Sequence, residues 1–243
     1  MKTIIIGGVA VGMSAATRLR RMDEQAEITV YEMGENVSYA NCGLPYYLSD
    51  TISERSALLL QTPESLHRRF NLDVRVLHKV LSIDAAAKTV SVQNLATGET
   101  FTDSYDYLVL ATGAKPTKPA IPGIENALTL RDVADVDRVK EAASSSKLKT
   151  AVVIGGGFIG IETAENLIEA GFTVHLVQRG SQLLGTIAPE LVEVFQQHLE
   201  KNGVKLHLNA QVSSISADSV VVNGEAIAAD LVISAAGVTP DNQ

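Results

Sequence analysis

The sequence predicts an α/β chain in which one strand–turn–helix–strand unit occurs twice. Three observations carry that prediction: a short apolar run at residues 3–6 ending in glycines, a complete Gly155-x-Gly157-x-x-Gly160 behind a second apolar run, and apolar residues at helical spacing after each turn. In the first copy, strand 3–6 feeds a helix over roughly 12–22, where Met13, Ala16 and Leu19 recur at helical spacing. Residues 28–31 form the next strand, which ends at Glu32. In the second copy, 151–154 is the strand, 158–170 the helix closed by Gly171, and 173–177 the return strand. Two βαβ units in a chain of 243 residues imply two Rossmann-like domains and two nucleotide sites, since the period is far too long for a solenoid.

Between the copies, segments 80–84 and 89–93 read as a hairpin, and a strand at 107–111 runs into Thr112-Gly113. Pro116, Pro119 and Pro122 crowd the stretch that follows and suit a crossover, so the domains are expected at 1–114 and 115–243. A helix near 189–202, strands near 204–208 and 211–215, and an apolar strand at 231–235 complete the second domain. The run of that last strand into Gly237 and Pro240 echoes Ala111 to Pro116.

Composition narrows the function. Hydrophobic residues at 46% and charged residues at 20% are ordinary for a globular chain with a core. A net charge of -8 leaves no basic surplus to release counterions, so no nucleic-acid partner is expected. No apolar run reaches the roughly 20 residues of a bilayer span. The first strand continues into a glycine turn instead of a signal-peptide cleavage region, so no membrane partner and a cytoplasmic location are expected. The single cysteine, Cys42, cannot form an internal disulfide; any partner sulfur comes from outside the chain.

A strand entering a helix through glycines presents free backbone N–H groups to a pyrophosphate, aided by the helix dipole. The second copy, Gly155, Gly157, Phe158, Ile159 and Gly160, has the full pattern in the required context. The first copy, Gly7, Gly8, Val9, Ala10 and Gly12, departs from it, because Val9 stands where the second glycine belongs. A glycine turn in a non-binding domain is the alternative there. Glu32 argues against that alternative, since a carboxylate at the end of the second strand accepts the hydroxyls of an unphosphorylated ribose such as that of FAD. Gln178 holds the equivalent place in the second copy, followed by Arg179. Gln178 does not repel a 2′-phosphate and Arg179 can pair with one, which admits NADPH beside NADH; a surface Gln–Arg pair is the alternative.

Cys42 lies in Ser38-Tyr39-Ala40-Asn41-Cys42-Gly43-Leu44-Pro45-Tyr46-Tyr47, which reads as a helix start, an environment that favours thiolate chemistry. Alone, such a cysteine is more simply a small buried apolar residue. Its surroundings decide otherwise. Together with Gly-Gly-Val-Ala near the N-terminus, Tyr-Asp-Tyr-Leu-Val-Leu-Ala-Thr-Gly-Ala-Lys-Pro at 105–116 and Gly-Gly-Gly-Phe-Ile-Gly-Ile-Glu at 155–162, the segment resembles the single-cysteine branch of the pyridine nucleotide-disulfide oxidoreductases, nearest to the coenzyme A-disulfide and persulfide reductases. That branch shares Val9.

The resemblance implies an FAD/NAD(P)-linked disulfide reductase fold. FAD would sit in the first domain with Thr112 and Gly113 near the flavin, NAD(P)H in the second with Glu162 nearby, and Cys42 would be the catalytic residue. Glu162 has an alternative reading as a first-turn helix acid. Ser14, Arg18, Arg21, Ser38 and Asn41 correspond to positions lining a coenzyme A site, although an exposed helix face accounts equally for both arginines. Electrons would pass from NAD(P)H through FAD to Cys42 and on to coenzyme A disulfide or a related small disulfide or persulfide. Ala10 replaces the histidine of peroxidase relatives. The resemblance further implies a homodimer, and a C-terminal flavin-binding segment and dimerisation domain that these residues do not contain. The alternatives are an oxygen-reducing NADH oxidase working through a cysteine sulfenate, and a non-enzymatic redox sensor or inactive truncated product.

Overall fold

The computed structural model describes residues 1–241, and packing divides the chain into two units. The first comprises Met1–Ala40, Ser56–Gly113 and the chain from Pro240. It opens with β1 (Lys2–Ile6), α1 (Ala10–Met22) and β2 (Glu27–Tyr31). The chain then leaves for a 3-10 turn at Asn41–Gly43 and α2 (Leu44–Leu48) in the other unit. It returns for α3 (Pro63–Phe70), β3 (Asp73–Arg75), β4 (His78–Asp84), β5 (Thr89–Asn94), β6 (Thr100–Ser104) and β7 (Tyr107–Leu110).

Strands β3-β2-β1-β7 form a parallel sheet in that order. Successive side chains of a strand point to opposite faces, so β1 buries Ile5 on one side and Ile4 on the other. Ile5 packs with Met13, Ala16, Ile28, Val30, Leu66 and Leu72 beneath the helices. Ile4 packs with Tyr31, Val90 and Val92 against the antiparallel β4-β5-β6 sheet. Both faces of the parallel sheet are therefore covered, as its unbroken apolar strands require. The Tyr31 hydroxyl donates to Asp103 Oδ2 at 2.8 Å and Lys2 Nζ lies 2.5 Å from Oδ1. Burial pushes the Tyr31 phenol well above its ordinary range, and the hydrogen bond to Asp103 adds to the shift. Burial alone would raise Asp103 too, but the hydrogen bonds from Lys2 and Tyr31 bring it below its ordinary value.

Helix α3 starts on a reciprocal capping box between Thr62 and Ser65 and stops at Asn71 in the left-handed conformation. Its end is tied to α1 by Arg20, whose buried guanidinium donates to the carbonyls of Phe70 (2.8 Å), Glu24 (2.6 Å) and Asn71 (2.9 Å).

The second unit comprises Asn41–Arg55 and Ala114–Thr239. After β8 (Ala114–Pro116) come α4 (Val133–Ser145), β9 (Thr150–Ile154), α5 (Phe158–Glu169), β10 (Thr173–Val177), α6 (Pro189–Lys201) and β11 (Lys205–His207). Then follow β12 (Val212–Ile215), β13 (Ser219–Val222), β14 (Glu225–Ala228), β15 (Leu231–Ser234) and β16 (Val238–Pro240). The parallel sheet β11-β10-β9-β15 repeats the strand order of the first unit. Its inner face, Val152, Ile154, Val177 and Val232, packs on Val212, Ile215, Val220 and Val222 of the antiparallel β12-β13-β14. No helix among the described residues is long and apolar enough to cross a membrane.

The expected α/β fold with two Rossmann-like sheets is what the chain adopts. Two details differ. The first helix begins at Ala10, which puts Gly12 inside its first turn. Residues 41–55, assigned from sequence to a first domain of 1–114, pack within the second unit, where α2 lies against α4 and α5.

Between β10 and β11, His175 Nδ1 and His207 Nε2 lie 2.9 Å apart, with the rings stacked and their planes 11° from parallel. Burial, then the charges of Lys205 and His207, lower the His175 pKa to about 4. Burial and Lys205 lower His207 as well, against the opposing pull of Glu225. Unfolded His175 takes its proton near 6.5. From there down to about 4 the unfolded chain holds more protons, so acidification destabilises the fold. Urea midpoints should fall between pH 7 and pH 4.5, and His175→Phe should flatten that fall. Arg20→Met, which leaves several carbonyls without donors, should lower unfolding free energy by about 2–3 kcal/mol in urea titrations.

Candidate functional site

Each copy builds the same turn from the same contacts. Gly7 N donates to Tyr31 O and Gly155 N to Val177 O, both at 2.8 Å, and both glycines have positive φ (+104° and +114°). A Cβ on either would strike a carbonyl of the neighbouring strand end, Ala111 O at 2.1 Å or Ala235 O at 2.3 Å. Five residues on, each helix passes so close over the turn that a Cβ at Gly12 would lie 1.8 Å from Gly7 O, and one at Gly160 1.9 Å from Gly155 O. These positions require glycine sterically. Gly157 differs: a Cβ there would meet nothing within 4 Å, leaving room for an approaching group.

The N–H groups of the turn glycines are taken up within the fold, but the first turns of the helices they launch have no side-chain cap. Among the described helices of eight or more residues, only α1 and α5 lack both a side-chain cap and an acid in the first turn. Thr62 caps α3, Asp132 caps α4 and Glu190 sits in the first turn of α6. First-turn N–H groups have no intrahelical partner, so α1 and α5 offer theirs, with the positive dipole end, to an external anion. Val9 at the N-cap of α1 does not alter this, because the donors belong to the backbone.

Glu32 and Gln178 fill one structural place. Glu32 Oε2 accepts from Gly8 N at 2.7 Å and Oε1 from Gly34 N at 2.8 Å. Gln178 Oε1 accepts from Gly156 N at 3.1 Å while its Nε2 donates to Gln182 O at 3.2 Å. Both head groups are thereby held against the turn. Ser38 and Leu184 also correspond: each has positive φ (47° and 44°), and each donates its N–H to the second turn glycine, Gly8 O or Gly156 O, at 2.9 Å. Arg179 is exposed.

The structure thus brings Gly7, Gly8, Val9, Ala10, Gly12 and Glu32 together in the first unit, with Thr112 and Gly113 following Ala111 beside Gly7. Gly155, Gly157, Phe158, Ile159, Gly160, Gln178 and Arg179 gather in the second. Glu162 is the fifth residue of α5 and lies beyond its first turn, so the first-turn reading fails; its carbonyl accepts from Asn166. Ser14, Arg18 and Arg21 are exposed at helical spacing on α1, whereas the intervening Arg20 is spent on structure. Ser38 belongs to the first unit, but Asn41 and Cys42 belong to the second, so the predicted substrate residues divide between units.

Cys42 is free and exposed in the 3-10 turn leading into α2. The buried Leu44, Pro45 and Leu48 give α2 an apolar side, and polar anchors fix its end. Ser49 Oγ donates to Asn166 Oδ1 of α5 at 2.6 Å, and Lys140 Nζ of α4 donates to Tyr47 O at 2.7 Å and pairs with Asp50 at 2.5 Å. Arg55 pairs with Asp137 of α4 at 2.8 Å. The sequence does not single out these anchors; a lone asparagine within the apolar α5 was the one available sign.

The chain thus carries two matched glycine turns on parallel sheets, each followed by a helix without a side-chain cap, and an exposed free thiol. The model of the pyridine nucleotide-disulphide oxidoreductase family matches residues 1–243, and the chain belongs to that family. It is 30% identical over its whole length to the coenzyme A disulfide reductase of Staphylococcus epidermidis, and spans 55% of that protein. Among solved structures, reduced CoADR-RHD of Bacillus anthracis superposes with a TM-score of 0.96 at 44% identity, over 99% of this chain and 44% of that one. An NAD-dependent persulfide reductase from A. fulgidus gives 0.95 at 35%, over 99% and 46%. The chain therefore spans about half the length of its relatives.

The two glycines of the second turn should separate on mutation. Gly160→Ala, which forces helix and turn apart, should lower the melting temperature and weaken nucleotide binding together. Gly157→Ala should lower melting much less, by the poorer helix start that alanine makes, and weaken NAD(P)H binding about tenfold, about the value of one strong charge-assisted hydrogen bond, in a fluorescence titration of the intact protein.

Proposed function

We propose that this chain carries the nucleotide-binding and thiol portion of a flavin-dependent NAD(P)H disulfide reductase, acting on coenzyme A disulfide or a related small disulfide or persulfide. The carrying observation is the doubled, uncapped glycine turn: two acceptors of dinucleotide phosphate in one chain fit one electron donor and one electron carrier. Glu32, already oriented by two backbone donors, has lone pairs left for the ribose hydroxyls of FAD. The clamped amide of Gln178 brings no negative charge to the second ribose. Exposed Arg179 beside it can pair with a 2′-phosphate, so NADPH is accepted as well as NADH.

Cys42 is the nucleophile. Its thiolate attacks one sulfur of the incoming disulfide, the S–S bond breaks, and the first thiolate leaves with that bond's electron pair, while Cys42 keeps the other half as a mixed disulfide. With one cysteine in the chain, the second sulfur of this exchange is the substrate's own. FAD, which the turn of Gly7, Gly8 and Gly12 with Glu32 would hold, would supply the two electrons that return the mixed disulfide to the Cys42 thiolate and a free thiol. Arg18 and Arg21, exposed on α1, are suited to anionic groups of the substrate. The intact protein is read as a homodimer.

The test is turnover of the intact protein on coenzyme A disulfide and on a persulfide, with NADH and NADPH in parallel and oxygen excluded. The expected outcome is reduction with either cofactor that Cys42→Ser lowers about a thousandfold or more, as loss of a covalent nucleophile does. Disulfide reduction at the unaltered rate by Cys42→Ser would remove the proposed nucleophile. NAD(P)H oxidation that needs oxygen and ignores the disulfide would identify an oxidase instead.

A further inference from the structure

We propose that Asn166 is a positioning residue for Cys42, acting through Ser49; this rests on the reading of Cys42 as the reacting sulfur. Helix α2 has only five residues. A helix that short has no independent stability in water, so its geometry must be imposed by what it touches. Cys42 sits in the turn that runs directly into it. The direction of the thiol is therefore set by the anchors of α2.

One anchor is buried, polar and directional. Asn166 is 1% exposed. Its Nδ2 donates to Glu162 O at 2.8 Å, and since a carbonyl can only accept, the orientation of the amide is determined and Oδ1 must face Ser49. The Ser49 hydroxyl has one proton and four neighbours: Asn166 Oδ1 at 2.6 Å, Thr51 Oγ1 at 2.9 Å, Tyr46 O at 3.3 Å and Thr51 N, which donates to it at 3.5 Å. The closest is a pure acceptor and takes the proton, so Thr51 is the donor in the Ser49–Thr51 pair. Apolar packing of Leu44, Pro45 and Leu48 tolerates sliding; a part-buried hydrogen bond with a fixed donor and acceptor does not. Lys140 holds the same end from α4, with its ammonium 3.7 Å from the Tyr47 ring centroid as well as on Tyr47 O and Asp50. Asn166 stands eight residues along the helix that begins at the Gly155–Gly160 turn. One rigid rod of about 12 Å, at 1.5 Å per residue, thus carries nucleotide donors at its start and the thiol's anchor further along.

The experiment uses the intact flavoprotein with Ser49→Ala, Asn166→Leu and the double variant. Alkylation of Cys42 by iodoacetamide, followed by mass spectrometry of the peptide containing it, reads the thiol without any need for turnover. Coenzyme A disulfide kcat/KM and the NADPH KM are measured alongside. Both single variants should change the alkylation rate about threefold to fivefold, the worth of one neutral hydrogen bond, and the double variant should match the singles, because one bond is removed in each. Disulfide kcat/KM should fall about tenfold or more, as misplacement of a reacting atom predicts, with the NADPH KM unchanged. Unaltered alkylation in Ser49→Ala overturns the proposal, and so do effects that multiply in the double variant. Ser49→Ala alone decides if Asn166→Leu fails to fold. Absence of disulfide turnover in the unaltered protein would remove the reductase reading and leave the alkylation comparison to judge the anchor.

Discussion

The chemistry this chain can perform depends on two helices being allowed to lie against the carbonyl oxygen of the turn that launches them. At Gly12 over Gly7 O and at Gly160 over Gly155 O there is no room for even a methyl group. That closeness seats the first helical turn on the glycine turn that ends the strand, so its N–H groups lie at the strand's carboxyl end. A cap would consume those donors, and a first-turn acid would neutralise the dipole. Of the longer described helices, α1 and α5 alone have neither. The local stability forgone at each start, about 1 kcal/mol for a missing cap, is recoverable when an anion binds.

The two copies correspond contact for contact around their turns and diverge sharply just beyond. In the second copy the chain passes from Leu184 to α6 at Pro189 almost at once; in the first it travels from the equivalent Ser38 to α3 at Pro63. Most of the added length is the cysteine segment, Asn41–Arg55, which packs in the second unit on α4 and α5. Duplication accounts for the pair of nucleotide turns, and the inserted loop accounts for the thiol. This is the usual division between a fold and a site grafted on its connections.

The legible part of the sequence was the part governed by local steric rules. Glycine turns, apolar strands of four or five residues and the amphipathic α1 and α5 all announce themselves within a dozen positions. The hairpin of β4 and β5 was legible from the two short segments, 80–84 and 89–93, that flank Ala-Ala-Ala-Lys. Helix α4 was not, since Val133–Ser145 mixes charges and alanines and is defined mainly by its Asp132 cap; nor was α3, in which only Leu66 is buried. The place of residues 41–55 was illegible for a different reason: it is decided by Lys140, Asp137 and Asn166, far away in sequence, and no local pattern reports a long-range anchor. Gln178 was read for its neutrality, while its clamp on Gly156 became visible only in three dimensions.

That clamp shows how one backbone requirement is met by two side chains of different charge. The second glycine of each turn has an N–H that needs an acceptor at the end of the neighbouring strand. A carboxylate satisfies it in the first copy and an amide oxygen in the second, and the shorter contact belongs to the charged acceptor, 2.7 against 3.1 Å. With the backbone demand met either way, the remaining difference is one unit of charge at the place where an adenosine ribose is expected. A carboxylate rewards free hydroxyls and repels a phosphate. On the proposed reading an amide is indifferent to the phosphate, and adjacent Arg179 would attract it. The duplicated backbone is thus alike in both copies, and the difference between them falls to the residue that follows a strand, Glu32 or Gln178, and its neighbour.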